Sequence, residues 1–440
     1  MPGDELRIDL FDLISSLARV VDLMSPAVAN HHMQVGYLAF RIAEELKLPM
    51  DDRRRLALAG MLHDIGAFSL QQRQDILRFE TATDQHAHAS YLLLKNFEPF
   101  TTIAPLVRFH HVPWADGAGR MHNGESVPPH SHILHLADRI AVLIQKDRPV
   151  LAQVQGICET VAAHKGSRFV PEYVEAFLRM ANRDYIWLEA VSGAIEQVLW
   201  KTSGFRGLPV GIEELVQFSY LLCRVIDFKS PFTATHSSGV AASGVTLARL
   251  VGFSQRECKM FEVAAYLHDL GKLAIPSEIL EKPGKLTPDE RHIMRTHAFY
   301  TYQILHPIDQ LSTIASWSSL HQERLNGTGY PFRYAAEELS LGARIMAVAD
   351  VFTAVTEDRP YRKGMSKEAA PALLQRMADA GELDRALVRL LIDNFETISR
   401  ARQAAQRDAA QKYQEFLDEI RAAPSAVTVG EPAPAACPAP

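Results

Sequence analysis

The sequence predicts an all-α chain made of two tandem copies of one helical unit, followed by a disordered Pro/Ala-rich C-terminal tail. Three observations carry this. Apolar residues recur at helical spacing through most of the 440 residues. No run shows strand-like alternation of useful length. Histidines and aspartates recur in the same order, at nearly the same intervals, in both halves.

The elements follow in order. Leu6, Leu10, Leu13, Ile14 and Leu17 mark an amphipathic opening helix. A second helix is expected over about 31–46. A third, over about 52–63, is apolar at Leu56, Ala59, Met61 and Leu62 and runs into His63-Asp64-Ile65-Gly66. Residues 113–129, with Gly117, Gly119 and Gly124, read as loop. Helices resume over about 132–145 and again through 150–200. Gly204, Gly207, Pro209 and Gly211 place a linker at 204–211, between a first domain, 1–203, and a second, 212–396. Within the second, residues 274–288 hold three prolines and Gly284 and read as loop, as does the glycine-rich stretch 326–331. Residues 397–422 make a polar, Ala- and charge-rich helix with a thin apolar face, solvated or in contact with a second copy. From 423 onward prolines and small residues predict disorder.

Composition narrows the function classes. Hydrophobic residues make up 47% and charged residues 22%, ordinary for a globular protein with real cores. The net charge of -6 gives no basic patch that argues for duplex nucleic acid. Cys158, Cys223, Cys258 and Cys437 form no CxxC pair, so neither a disulfide framework nor a thiolate zinc site is indicated. No apolar run approaches bilayer length and no signal-peptide core opens the chain, so the expected setting is cytoplasmic.

The repeat points to chemistry. His31 precedes His63 by 32 residues, and His236 precedes His268 by 32. His86 and His110 are 24 apart, as are His297 and His321. Asp138 follows His110 by 28 residues and Asp350 follows His321 by 29. Each half thus holds an adjacent His-Asp pair, His63-Asp64 or His268-Asp269, among further His and Asp. Imidazole and carboxylate without thiolate suit Fe, Mn, Zn or Ni. Six such side chains are about enough for two ions sharing one bridging Asp, a pair able to activate water and stabilise charge at phosphorus.

In these residues the chain resembles the HD superfamily of metal-dependent phosphohydrolases, and its second half the HD-GYP subfamily. The second-half likeness rests on His236, His268-Asp269-Leu270-Gly271-Lys272, the stretch from Ile279 to Thr287, His297, His321 to Pro331, Val348-Ala349-Asp350 and Asp358-Arg359-Pro360-Tyr361-Arg362. The resemblance implies an all-helical HD fold and hydrolysis of cyclic di-GMP or 3′3′-cyclic GMP-AMP, with two Fe or Mn ions at each competent site. It implies metal ligation by His236, His268, Asp269, His297, His321 and Asp350, with Asp269 as the bridge. Asp269 and Lys272 would act in catalysis. Lys272, Arg359 and Arg362 would face substrate phosphates as charge-assisted donors, and Gly329 and Tyr330 would border the pocket.

The second half departs from the subfamily pattern at four positions. Gln322 stands in place of a second histidine, Asn326 in place of an Asp, Thr353 in place of another Asp, and Phe232 where three-metal members carry Glu. The missing Glu and the missing second histidine argue for two metals rather than three.

The first half resembles the generic HD fold. It keeps His31, His63, Asp64, His86, His110, His111 and Asp138 as expected ligands, but carries Ala67 where the second half has Lys272 and lacks a GYP loop. Metal binding is expected there, with regulation or phosphomonoesterase action as its role. His32, His88, His122, His130, His132 and His135 would surround the ligands or lie on the surface. The expected partners are a cyclic dinucleotide and, beyond it, a second copy of the chain or a signalling protein. Competing readings are a nucleotide phosphomonoesterase acting through the first site, or a non-catalytic binding protein.

Overall fold

The computed structural model describes residues 7–23, 30–67, 84–205, 209–229, 235–282, 284–358 and 363–422. Among them the fold is all-α, with strand confined to two short ladders.

The first repeat is built from α1 (Leu10–Leu23), α2 (His31–Glu45), α3 (Met50–Leu62), α4 (Asp84–Leu94), α5 (Ala104–Arg108) and α6 (Pro129–Leu143). Helices α2 and α3 meet at backbone distance. A Cβ on Gly60 would lie 2.6 Å from the Cα of Gly36, so only two glycines permit this crossing. The crossing sets His31, at the start of α2, and His63, just past α3, with ring centroids 5.3 Å apart. Residues 113–129 are more ordered than a plain loop. They contain 3₁₀ turns within Ala115–Arg120, kinked at Asp116 and Gly117, and a miniature hairpin, Met121–His122 against Glu125–Ser126.

The second repeat follows through α7 (Ile212–Lys229), α8 (His236–Val251), α9 (Gln255–Leu267), α10 (Pro288–Leu305), α11 (Ser312–Ser319) and α12 (Leu341–Thr356). Helices α9 and α10 open with full capping boxes, Ser254 with Glu257 and Thr287 with Glu290. The stretch 274–288 is not continuous loop, since Ser277–Leu280 forms one helical turn.

Residues 204–211 do not form a free tether. Gly204 ends the preceding helix in the left-handed conformation, φ 58°. Phe205 stacks on Phe11 with centroids 5.0 Å apart, and Pro209–Val210 pairs antiparallel with Ile8–Asp9. Helix α1 packs against the turn Leu270–Ala274 and against α10, so one apolar core runs through both repeats.

The expected polar helix begins at Phe395 and runs unbroken to Ala422, as α13. It is not solvated all round. Ile398, Ala409 and Phe416 are buried, and the helix lies along α8. Residues 423–440 and Leu6 lie outside the described residues, as do 206–208 of the linker.

Candidate metal centres

In the second repeat six ligand-type side chains converge from separate elements. His236 opens α8, His268 and Asp269 follow α9, His297 lies within α10, His321 follows α11 and Asp350 lies within α12. All are buried, Asp350 being the most open at 9% exposure. Three imidazoles are held alike. The Nδ1–H groups of His268, His297 and His321 donate to the carbonyls of Ala265, Met294 and Ser318 at 2.7, 2.6 and 2.7 Å. A carbonyl only accepts, so Nδ1 keeps its proton and the Nε2 lone pair turns inward.

Inside, His268 Nε2 lies 3.2 Å from Asp269 Oδ2, while His297 and His321 Nε2 lie 3.6 and 3.9 Å from Asp269 Oδ1. His236 Nε2 lies 3.1 Å from Asp350 Oδ1. The donor atoms of His236, His268 and Asp350, and those of His268, Asp269 and His321, each fall within 4.8 Å of one another. His268 Nε2 is fully buried yet aligned with no hydrogen-bond partner. Buried polar atoms normally bond something. Imidazole and carboxylate donors crowded together, with His268 Nε2 left unaligned, suit a cation.

The electrostatics agree with this arrangement. Burial alone would raise Asp269, but His268 and Lys272 hold its carboxyl well below the usual range. Burial likewise opposes ionisation of Asp350, and His236 outweighs it, keeping the group a carboxylate. Burial, reinforced by His268, pushes His321 down to about 3, so it stays a neutral imidazole. His236 goes the other way. Burial disfavours its charge, but Glu357 and Asp350 hold it up at about 10.

The first repeat repeats the device. Nδ1–H of His63 and His110 donates to the carbonyls of Gly60 and Val107 at 2.7 and 2.6 Å. His63 and His86 Nε2 lie 3.0 and 3.2 Å from the two oxygens of Asp64, and His31 Nε2 lies 3.3 Å from Asp138 Oδ1. His111 joins through His86, their Nε2 atoms 2.7 Å apart. Both Asp64 oxygens, the Nε2 atoms of His31, His63 and His110, and Asp138 Oδ1 are buried without an aligned hydrogen bond. Burial opposes charge on His63 also, and Asp64 and Asp138 lift it to about 10. Of the further histidines, His32 and His135 are buried beside this cluster, and His132 is buried against Trp114.

The two sites differ in three ways. Arg139, 1% exposed, donates to Asp138 Oδ2 at 2.6 and 3.1 Å, whereas Val351 follows Asp350. Ala67 is buried where the second repeat presents Lys272, whose Nζ donates to Asp269 Oδ2 at 2.5 Å. Gln322, in the position of His111, donates to Asp350 Oδ2 at 3.4 Å.

The second site opens into a cleft of about 460 Å³ lined by Asp269, Lys272, His297, Gln322, Tyr330 and Asp350 among others. One wall is the loop 326–331. Glu323, 1% exposed, accepts the backbone N–H groups of Phe332 and Arg333 at 2.7 and 3.1 Å, and a Cβ on Gly329 would lie 2.4 Å from the nitrogen of Arg324. Arg295 covers the ring of Tyr330 at 4.5 Å. Asn326 holds the same loop by accepting from Thr328 N and Oγ1 at 3.2 and 2.6 Å, as an Asp would. Thr353 faces Ser243 between α8 and α12, 3.4 Å away. Arg359, Arg362 and Phe232 lie outside the described residues.

Sequence reasoning passed over Glu357, whose carboxylate oxygens both lie 3.1 Å from His236 Nδ1. The available signal was its place seven residues after Asp350, two helical turns along the same face. Thr301 and Ser90 were passed over as well. Their hydroxyls accept the N–H of Gly271 and Gly66 at 2.9 Å in both cases.

Sequence profiles described as HD domain match residues 28–143 and 221–387. The chain is 28% identical over 405 residues to the 3′3′-cGAMP-specific phosphodiesterase 1 of Vibrio cholerae, covering 89% of this chain and 93% of that protein. It is 32% identical over 263 residues to the 3′3′-cGAMP-specific phosphodiesterase 3 of that organism, covering 59% of this chain and 56% of the relative. Against a cyclic di-GMP phosphodiesterase response regulator of Xanthomonas campestris it is 35% identical over 189 residues, 40% of this chain and half of that one. A crystal structure of a cyclic GMP-AMP-specific phosphodiesterase of V. cholerae superposes with a TM-score of 0.62 over 89% of this chain and 98% of that one, at 23% identity. That likeness speaks for the fold.

Proposed function

The chain carries two HD domains in tandem, and we propose that its second one hydrolyses a cyclic dinucleotide, cyclic di-GMP or 3′3′-cyclic GMP-AMP, to the linear form. The observation that carries this is the convergence of His236, His268, Asp269, His297, His321 and Asp350 at the floor of an open cleft bearing Lys272. The names of the relatives supply the substrate class.

Two divalent cations, Fe or Mn, would supply Lewis acidity and a water activated near neutral pH. The protein's part is positional. Asp269 presents one oxygen towards His268 and the other towards His297 and His321, which suits a bridging carboxylate. The backbone carbonyls hold the Nδ1–H of three imidazoles and turn each Nε2 towards the cluster. Lys272, half-buried at the cleft wall, is placed to neutralise a phosphodiester oxygen and to steady Asp269. Tyr330, with Arg295 on its face, shapes the side of the cleft. Arg359 and Arg362 would complete the phosphate contacts, and residues 1–203 and 212–396 would form the two domains.

The full seven-residue donor set of the first repeat favours a second reading of that site as a phosphomonoesterase on the linear product. Arg139, bonded to Asp138, and Ala67 argue that it does not take the cyclic substrate.

The test is direct. Full-length protein loaded with Mn²⁺ or Fe²⁺ is offered each cyclic dinucleotide and p-nitrophenyl phosphate, with products separated chromatographically. Linear dinucleotide that disappears on chelation supports the reading. Turnover of the monoester alone would contradict it.

A further inference from the structure

Seen from outside the ligand shell, His236 is held by a buried carboxylate rather than by a carbonyl. Glu357 is 5% exposed and takes the Nδ1–H at 3.1 Å on both oxygens, leaving Nε2 directed at Asp350. A carboxylate behind a ligating imidazole fixes the ring and raises its basicity. Helix α13 in turn holds Glu357. Gln406 Nε2 donates to Glu357 Oε2 at 3.1 Å, and Arg402 donates to Gln406 Oε1. Farther along the same helix, Phe416 stacks on Phe228 at 4.0 Å, and Glu419 accepts from Lys95, next to α4 of the first repeat, at 2.5 Å.

The first repeat has no such arrangement on the matching residue. Gln145, seven positions after Asp138, bonds Gln153 through its backbone N–H and carbonyl at 2.8 and 2.9 Å. Among the described residues the carboxylate is therefore particular to the second site.

We infer that Glu357, fixed by Gln406 and Arg402 of α13, is a positioning residue for His236, so that docking of the C-terminal helix sets the metal affinity of the second site and leaves the first unaffected. The inference rests on the metal-site reading of the second repeat, and its test separates the two. Mn²⁺ titration of the full chain in an Asp64→Ala background reports on the second site, and in an Asp269→Ala background on the first. In the first of these backgrounds Glu357→Ala is expected to weaken second-site binding by about 10–100-fold. Glu357→Gln, which keeps an acceptor oxygen, loses less, and Gln406→Leu, at a half-buried position, falls between it and the parent. First-site affinity is expected to stay the same in all three. A role in packing alone would lower the melting temperature without ranking Gln above Ala in affinity, and would overturn the inference. So would unchanged second-site affinity in the Gln406→Leu and Glu357→Gln proteins. Absence of any second-site Mn²⁺ binding in the Asp64→Ala parent would instead contradict the metal-site reading itself.

Discussion

A methyl group on Gly271 would lie 1.9 Å from the carbonyl oxygen of His297, and one on Gly66 would lie 2.4 Å from the nitrogen of Ser90. The glycine after each His-Asp pair is therefore required by close approach to the helix carrying the next histidine, not by a turn of unusual φ. The bond from its N–H to Thr301 or Ser90 locks that approach. Gly271→Ala should force α10 away, costing about 1–3 kcal/mol by overpacking and displacing His297. Denaturant unfolding together with metal content checks this; a fully stable, fully loaded Gly271→Ala protein would refute it. The ligands themselves were legible as residues, because each is a donor type in a repeated order. Glu357, Thr301 and Glu323 were not, because their partners are set by packing across 121, 30 and 9 positions of chain.

At the scale of elements, the repeat was readable because a ligand's place on a helix is kept by the number of residues between helices. The helical periods and the two His-to-His intervals follow from that. The structure of α13 was less readable. Its composition is polar, and the few apolar positions that matter, Ile398, Ala409 and Phe416, lie too far apart to announce a buried face. Phe416, 3% exposed between Phe228 and Arg224, anchors the helix end. Phe416→Ala should lower stability by about 3–5 kcal/mol. Its effect belongs to docking, so calorimetry should show a lower melting temperature with α-helical content nearly retained. A melting temperature equal to that of the parent would show that the helix end is not held there. The stretch 204–211 was misleading for the opposite reason. Glycine and proline mark a boundary, yet Phe205 and the pairing of Val210 with Ile8 fasten it to the core.

For the whole molecule, two similar helical units share one core, and their sites differ in access and charge more than in donor set. The second joins its donors to an open cleft with Lys272 on the wall. The first sets Arg139 against Asp138 and surrounds the donors with buried imidazoles. Sequence alone distinguished the two through Ala67 and the missing glycine-rich loop. It did not reveal Arg139 as an ion-pair partner, since a neighbour in sequence need not turn its charge inward. The proposal that cyclic-dinucleotide hydrolysis belongs to the second site is open to a direct test. It compares linear-product formation by Mn²⁺-loaded full-length protein, its Asp269→Ala variant and its Asp64→Ala variant, with circular dichroism confirming that each is folded. Product is expected from the parent and from Asp64→Ala, with a loss of at least about 10³-fold in Asp269→Ala, several kcal/mol of barrier. Product that persists in Asp269→Ala and vanishes in Asp64→Ala would contradict it.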